Sequence, residues 1–167
     1  MAKVNGGALY CGDDGNVNVE HCLFESNRAT SSIYSCKGGA IYSVNDVYVL
    51  NSTFISNYAY DYGGAIYADY VNINYNQETI PSNSFFKGNR ADDDDGGAIY
   101  ATSDVYARNA EFIKNSSLVD GGVIYAKNNV QVKHCLFDSN EANGAKSSRC
   151  FGGAMGAEND AKINNCI

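Results

Sequence analysis

The sequence predicts an all-β fold, a right-handed parallel β-helix (solenoid) of about six coils, each of roughly 25 residues plus insertions. Three observations predict it. A Gly-Gly motif recurs along the whole chain, a Phe-x-x-Asn motif falls between its copies, and short stretches joining the two alternate in hydrophobicity without any 3.6-residue period. Leucine-rich, tetratricopeptide and ankyrin repeats need helical segments that this pattern lacks, and a propeller blade needs about 40 residues.

The Gly-Gly-Ala-Ile-Tyr motif, or a close variant, begins at Gly6, Gly38, Gly63, Gly96, Gly121 and Gly152, at spacings of 32, 25, 33, 25 and 31 residues. The double glycine suits a tight turn that crowds the next coil. Leu9, Ile41, Ile66, Ile99, Ile124 and Met155 follow it and should face the core, as should the small residues two positions on, Cys11, Ser43, Ala68, Ala101, Ala126 and Ala157. The intervening Tyr10, Tyr42, Tyr67, Tyr100 and Tyr125 then form an outward column. This column is either an aromatic strip for a ligand or, as the regularity favours, a stack that shields the sheet.

A second strand follows, with inward pairs such as Val17 and Val19, Val47 and Val49, Val71 and Ile73, and Val130 and Val132. Next comes a small inward column of Cys22, Ser52, Ser84, Ala110, Cys135 and Cys166, preceded by a polar turn position held by His21, Asn51, Asn83, Asn109, His134 and Asn165. Phe24, Phe54, Phe86, Phe112 and Phe137 should stack as an aromatic core ladder. Three residues later, Asn27, Asn57, Asn89, Asn115 and Asn140 should occupy left-handed turns and hydrogen-bond from coil to coil. Each unit thus offers three strands and three turns. The irregular spacings are insertions at turns: Arg28 to Lys37, Asn76 to Ser82 and Glu141 to Phe151.

The chain has 167 residues, enough for a single repeat domain over 1–167 with its own core. Its net charge of −7 disfavours nucleic acid and anionic lipid surfaces as partners. No apolar run approaches the roughly 20 residues of a membrane-spanning helix, so no membrane insertion is expected of this segment. The first residues lack a signal-peptide apolar stretch, and neither end reads as a capping unit. The chain is therefore expected to be a segment of a longer repeat array, with Met1 supplied for expression and with uncapped coils open to end-to-end self-association.

The alternating GGAI and FxxN motifs resemble the repeats of chlamydial polymorphic outer membrane proteins. They look still more like the adhesin-like surface proteins of methanogenic archaea. The resemblance covers about residues 4 to 167. It implies a right-handed β-helix, export to the cell surface and a part in attachment to an unidentified surface protein or glycan. A purely structural spacer is the first alternative, and a carbohydrate-active lyase or hydrolase the second.

Candidate chemistry is sparse. The acidic run Asp92 to Asp95 precedes Gly96, and aligning turns on the glycine sets Asp61 opposite Asp94 and Asp120 opposite Asp95. Asp61, Asp94, Asp95 and Asp120 are the candidate calcium ligands, weighed against a solvated acidic turn. No other cofactor is expected. No Cys-x-x-Cys pair points to zinc. Cys135 and Cys166 lie on adjacent coils, within reach of a disulfide, although mostly reduced cysteines are expected. Basic residues (Lys37, Arg90, Arg108, Lys114, Lys127, Lys133) are scattered rather than convergent, so no enzyme is expected. Asn51 and Asn115 match the glycosylation acceptor pattern, which arises often by chance in an Asn-rich chain.

Overall fold

The computed structural model of the protein describes residues 5–31, 34–74, 83–144 and 152–167. Every regular element in them is a strand. The strands form four parallel sheets, two of six strands and two of five, each ordered coil by coil. The architecture is a right-handed parallel β-helix.

The first sheet runs from Leu9–Cys11 through Ile41–Ser43, Ile66–Ala68, Ile99–Ala101 and Ile124–Ala126 to Met155–Ala157. Its register pairs Ile66 with Ile99 and Ile99 with Ile124, so like residues of successive coils lie side by side. The second sheet, Val17–Glu20 to Ala161–Asn164, pairs Val47 with Val71 and Val71 with Val105. The third stacks Phe24, Phe54, Phe86, Phe112 and Phe137, with ring centroids 4.9, 4.7, 5.1 and 5.0 Å apart. Ile41, Ile66, Ile99, Ile124, Phe54, Phe86 and Phe112 are fully buried, as the alternation predicts. Phe24 and Phe137 are only half-buried, because each has a neighbouring ring on one side.

The fourth sheet was not expected. It consists of two-residue strands, Arg28–Ala29, Tyr58–Ala59, Arg90–Ala91, Ser116–Ser117 and Glu141–Ala142. Each of the first five coils therefore has four strands and not three. The inward residues Ala29, Ala59, Ala91 and Ser117 are buried, so each short strand still obeys the two-residue alternation.

The turns have separable physical causes. The first glycine of each pair has φ between +56° and +69°, a region that L side chains seldom enter. In the first five pairs the second glycine is required by contact. A Cβ on Gly64 would sit 2.1 Å from the Gly97 carbonyl oxygen and 2.3 Å from the Arg90 nitrogen. The polar turn after the second sheet is left-handed at His21, Asn51, Asn74, Asn109, His134 and Asn165. In the third coil Asn74 takes this place, not Asn83, because the insertion follows the turn residue. At the Phe-x-x-Asn turn the positive φ belongs to the residue before the asparagine: Ser26, Ser56, Gly88, Lys114 and Ser139.

This correction leaves the asparagines free for another job. Asn57 Oδ1 accepts from both the backbone and side-chain nitrogens of Asn27, and Asn89 and Asn115 repeat the arrangement on the next coils. Each Nδ2 also donates to the carbonyl of a phenylalanine one coil back, as Asn89 does to Phe54 and Asn115 to Phe86. Asn57, Asn89 and Asn115 are buried, and these bonds satisfy groups that water cannot reach.

Candidate functional site

The tyrosine column is outward, and its rings stack face to face. Tyr10, Tyr42, Tyr67, Tyr100 and Tyr125 have centroids 5.1, 5.2, 5.2 and 5.5 Å apart at interplanar angles of 7, 4, 3 and 19°. Their faces are spent on each other, so the column offers ring edges and hydroxyls rather than a flat platform. Tyr100 is only 4% exposed because Tyr62 leans over it at 4.6 Å. Burial raises its pKa, with the neighbouring Tyr62 adding to the shift. Lys37 lies over the Tyr67 ring at 4.6 Å and donates to its hydroxyl at 3.3 Å.

Beside this column is the acidic turn. The register expected from the glycine alignment holds, since the Asp120 backbone N–H donates to Asp95 Oδ1 at 3.0 Å. The carboxylates nevertheless divide into two groups. Asp61, Asp93 and Asp94 bring one oxygen each within 4.8 Å of the others. Asp95 and Asp120 are outside that group. Asp93 was missed in the sequence because aligned turns show which residues are level, not which side chains converge. Asp61 is buried and accepts from the Cys36 backbone N–H. Burial raises the Asp94 pKa, and the Asp61 charge raises it further against the hydrogen bond from Tyr62. Asp95 is pushed up to about 6 by burial and by the charges of Asp120, Asp94 and Glu158. Three convergent carboxylate oxygens have the chemistry to hold a hard cation such as calcium.

Five cysteines in the described residues, Cys11, Cys22, Cys36, Cys135 and Cys166, are free thiols. Cys135 and Cys166 are level on neighbouring coils, where the Cys135 N–H donates to Cys166 Sγ at 3.4 Å. Burial pushes the Cys135 thiol up to about 12. Cys22 is exposed, contrary to its place in the small inward column. Cys150 lies outside the described residues, as do Asn76 to Ser82 and the last part of the Glu141 to Phe151 insertion. Asn115 is fully buried with its amide committed to the ladder, so it is closed to glycosylation in the folded chain.

The outer face of the second sheet carries a feature absent from the sequence reading. Tyr70 packs between Tyr48 and Tyr106, at 6.1 and 5.6 Å. Next to Tyr106 a groove of about 190 Å³ runs along the coil axis, lined by side chains that include Arg108 and Lys133. The cations seemed scattered because they lie 25 positions apart in sequence, which is one coil here.

Four stretches of the chain, residues 21–44, 51–69, 83–102 and 109–127, match the Chlamydia polymorphic membrane protein repeat. The chain is also 36% identical over 99 residues to a protein described as probable autotransporter YfaL from Escherichia coli (strain K12). That match covers 57% of this chain and 8% of the relative's length. No solved structure matches.

Proposed function

Four repeats of the Chlamydia polymorphic membrane protein type mark an exported, surface-exposed protein, and from that premise we propose that the chain is an attachment module. In this reading the coil stack is a rigid scaffold whose outer surface and insertions contact a surface protein or glycan. The observation that carries it is the division of the coil. The inward columns and the asparagine ladder are nearly invariant from coil to coil, whereas the outward positions of the second sheet change from Asn18 to Tyr48, Asn72, Tyr106, Gln131 and Lys162. A scaffold that holds its core constant while varying its outer side chains suits recognition. The reading assigns no catalysis to this segment.

A second reading, a spacer that holds another part of the protein away from the cell, draws on the tyrosine column. Its ring faces are consumed by stacking, which stiffens the solenoid and leaves little for a ligand.

The test is attachment of chain-coated beads to cells and to surfaces bearing glycans under flow. Two variants accompany the parent: one with Tyr67 and Tyr100 replaced by Ser, the other with the insertions shortened. Attachment that survives the tyrosine change but falls with the insertions supports recognition by variable outer segments. Beads that hold no better than uncoated ones favour the spacer.

A further inference from the structure

The small column that follows the second sheet runs Cys22, Ser52, Ser84, Ala110, Cys135 and Cys166. Its side chains repeat one arrangement from coil to coil. The Cys22 N–H donates to Ser52 Oγ at 3.1 Å, the Ser52 N–H to Ser84 Oγ at 3.3 Å, and the Cys135 N–H to Cys166 Sγ at 3.4 Å. Within the column, Cys135 and Cys166 alone set thiols on neighbouring coils. The backbone holds these two level. The His134 N–H donates to the Asn164 carbonyl on one side of the pair, and the Ile167 N–H donates to the Cys135 carbonyl on the other, both at 3.0 Å. Residues level on neighbouring strands have Cα atoms about 4.8 Å apart, inside the roughly 4.4–6.8 Å that a disulfide spans.

The two thiols differ in access. Cys135 is buried and Cys166 is half-buried, so an oxidant from solvent meets Cys166 first and Cys135 is reached through Cys166. Burial, which pushes the Cys135 thiol up to about 12, also slows its direct reaction with solutes. Little is lost when the thiol protons leave. Cys135 Sγ donates to the Lys133 carbonyl at 3.4 Å and Cys166 Sγ to the Asn164 carbonyl at 3.3 Å, both weak bonds. The same carbonyls accept backbone N–H groups, from Asn109 and His134, and so keep a partner.

We propose that Cys135 and Cys166 form a disulfide that staples two successive coils when the chain meets an oxidising surface environment. The inference goes beyond the attachment reading and does not depend on it; it uses only the surface exposure of the protein. The oxidant is a small disulfide, with glutathione disulfide as the probe. Cys166 loses its proton to solvent, and its thiolate attacks one glutathione sulfur and expels a glutathione thiolate, which takes up a proton. Cys135 then loses its proton, attacks Cys166 Sγ and expels the second glutathione thiolate, which is protonated in turn. Two protein thiols become one disulfide, and one glutathione disulfide becomes two thiols. The link joins positions 31 residues apart, and the Glu141 to Phe151 insertion lies in the sequence between them.

The experiment treats the folded, reduced chain with millimolar glutathione disulfide, blocks remaining thiols by alkylation and maps tryptic peptides by mass spectrometry. Trypsin cuts after Lys133, Lys146 and Lys162, so Cys135 and Cys166 fall in separate peptides. These are expected to be recovered joined, at least tenfold more from folded chain than from chain oxidised in urea, where six cysteines pair without guidance. Cys135→Ser should leave a glutathione adduct on Cys166, and Cys166→Ser should leave Cys135 reduced. Both changes place in the column the serine it already carries at Ser52 and Ser84, and circular dichroism checks that the variants fold. Oxidised parent should melt about 5 °C or more above reduced parent, and Cys135→Ser should show no such rise. Recovery of both thiols alkylated overturns the proposal, as does a link from either to Cys150, an equal yield from unfolded chain, or a linked chain that melts no higher than the reduced one.

Discussion

Replacing Asn89 with Ala removes one rung of the asparagine ladder from the middle of the stack. In the parent, Asn89 Oδ1 accepts from the Asn57 backbone nitrogen at 3.1 Å and from Asn57 Nδ2 at 3.0 Å. Its Nδ2 donates to the Phe54 carbonyl at 3.0 Å and to Asn115 Oδ1 at 2.9 Å. Two partners keep another bond after the change: Asn57 Nδ2 still reaches the Phe24 carbonyl, and Asn115 Oδ1 still receives the residue 89 backbone N–H. The Phe54 carbonyl keeps its place in the parallel ladder of the third sheet, whereas the Asn57 N–H loses its bond at a buried position. At about 1–3 kcal/mol for a buried group left unsatisfied, the loss should be about 2 kcal/mol. That is a large part of the stability of an ordinary domain. Equilibrium urea unfolding followed by far-ultraviolet circular dichroism measures it, with an unchanged slope showing that the unfolding unit is the same. Asn89→Asp refines the test. A carboxylate there faces two acceptors, so its folded pKa rises above the unfolded value, and stability should return as pH falls through that window and the protonated oxygen becomes a donor. A loss below about 1 kcal/mol for Asn89→Ala would refute the reasoning.

Other expectations follow from the turns and the acidic cluster. Gly64→Ala should cost more than about 3 kcal/mol, because its Cβ would meet two backbone groups of neighbouring coils that cannot swing away; thermal melting checks it. The pKa of Asp95 in the folded chain, about 6, exceeds its ordinary 3.8, so this group stabilises the fold at low pH and loses that contribution as pH rises between those values. Solvent access limits the effect to about 1 kcal/mol, and Asp95→Asn should flatten that part of the stability profile. If Asp61, Asp93 and Asp94 hold calcium, a hundredfold excess over the dissociation constant should add about 2.7 kcal/mol, seen as a rise in melting temperature that Asp61→Asn abolishes. An equal response to magnesium would leave a solvated acidic turn.

The solenoid was legible because its signals repeat. The aliphatic column, the phenylalanine ladder and the double glycines each recur in nearly every coil, so one misread copy cannot hide the pattern. The fourth strand was missed although its signal was present, a small residue two positions after nearly every ladder asparagine, as at Ala59 and Ala91. Two residues are too short to show alternation by themselves. The left-handed residue was misplaced by one position because asparagine tolerates that conformation; in fact the buried amide selects asparagine and its neighbour absorbs the strain. The site was less legible. Asp61 and Asp94 could be aligned, but the approach of Asp93 depends on side-chain direction. Arg108 and Lys133 gave no local motif, since only the coil spacing makes them neighbours.

The most direct test of the account is whether attachment depends on the ordered stack. Beads carrying the parent chain should hold to a cell or glycan surface under flow, and beads carrying a Phe54→Ala, Phe112→Ala chain, shown by circular dichroism to be unfolded, should release. Unfolded chain that holds as firmly as the parent would contradict the claim that a rigid β-helix presents the binding surface.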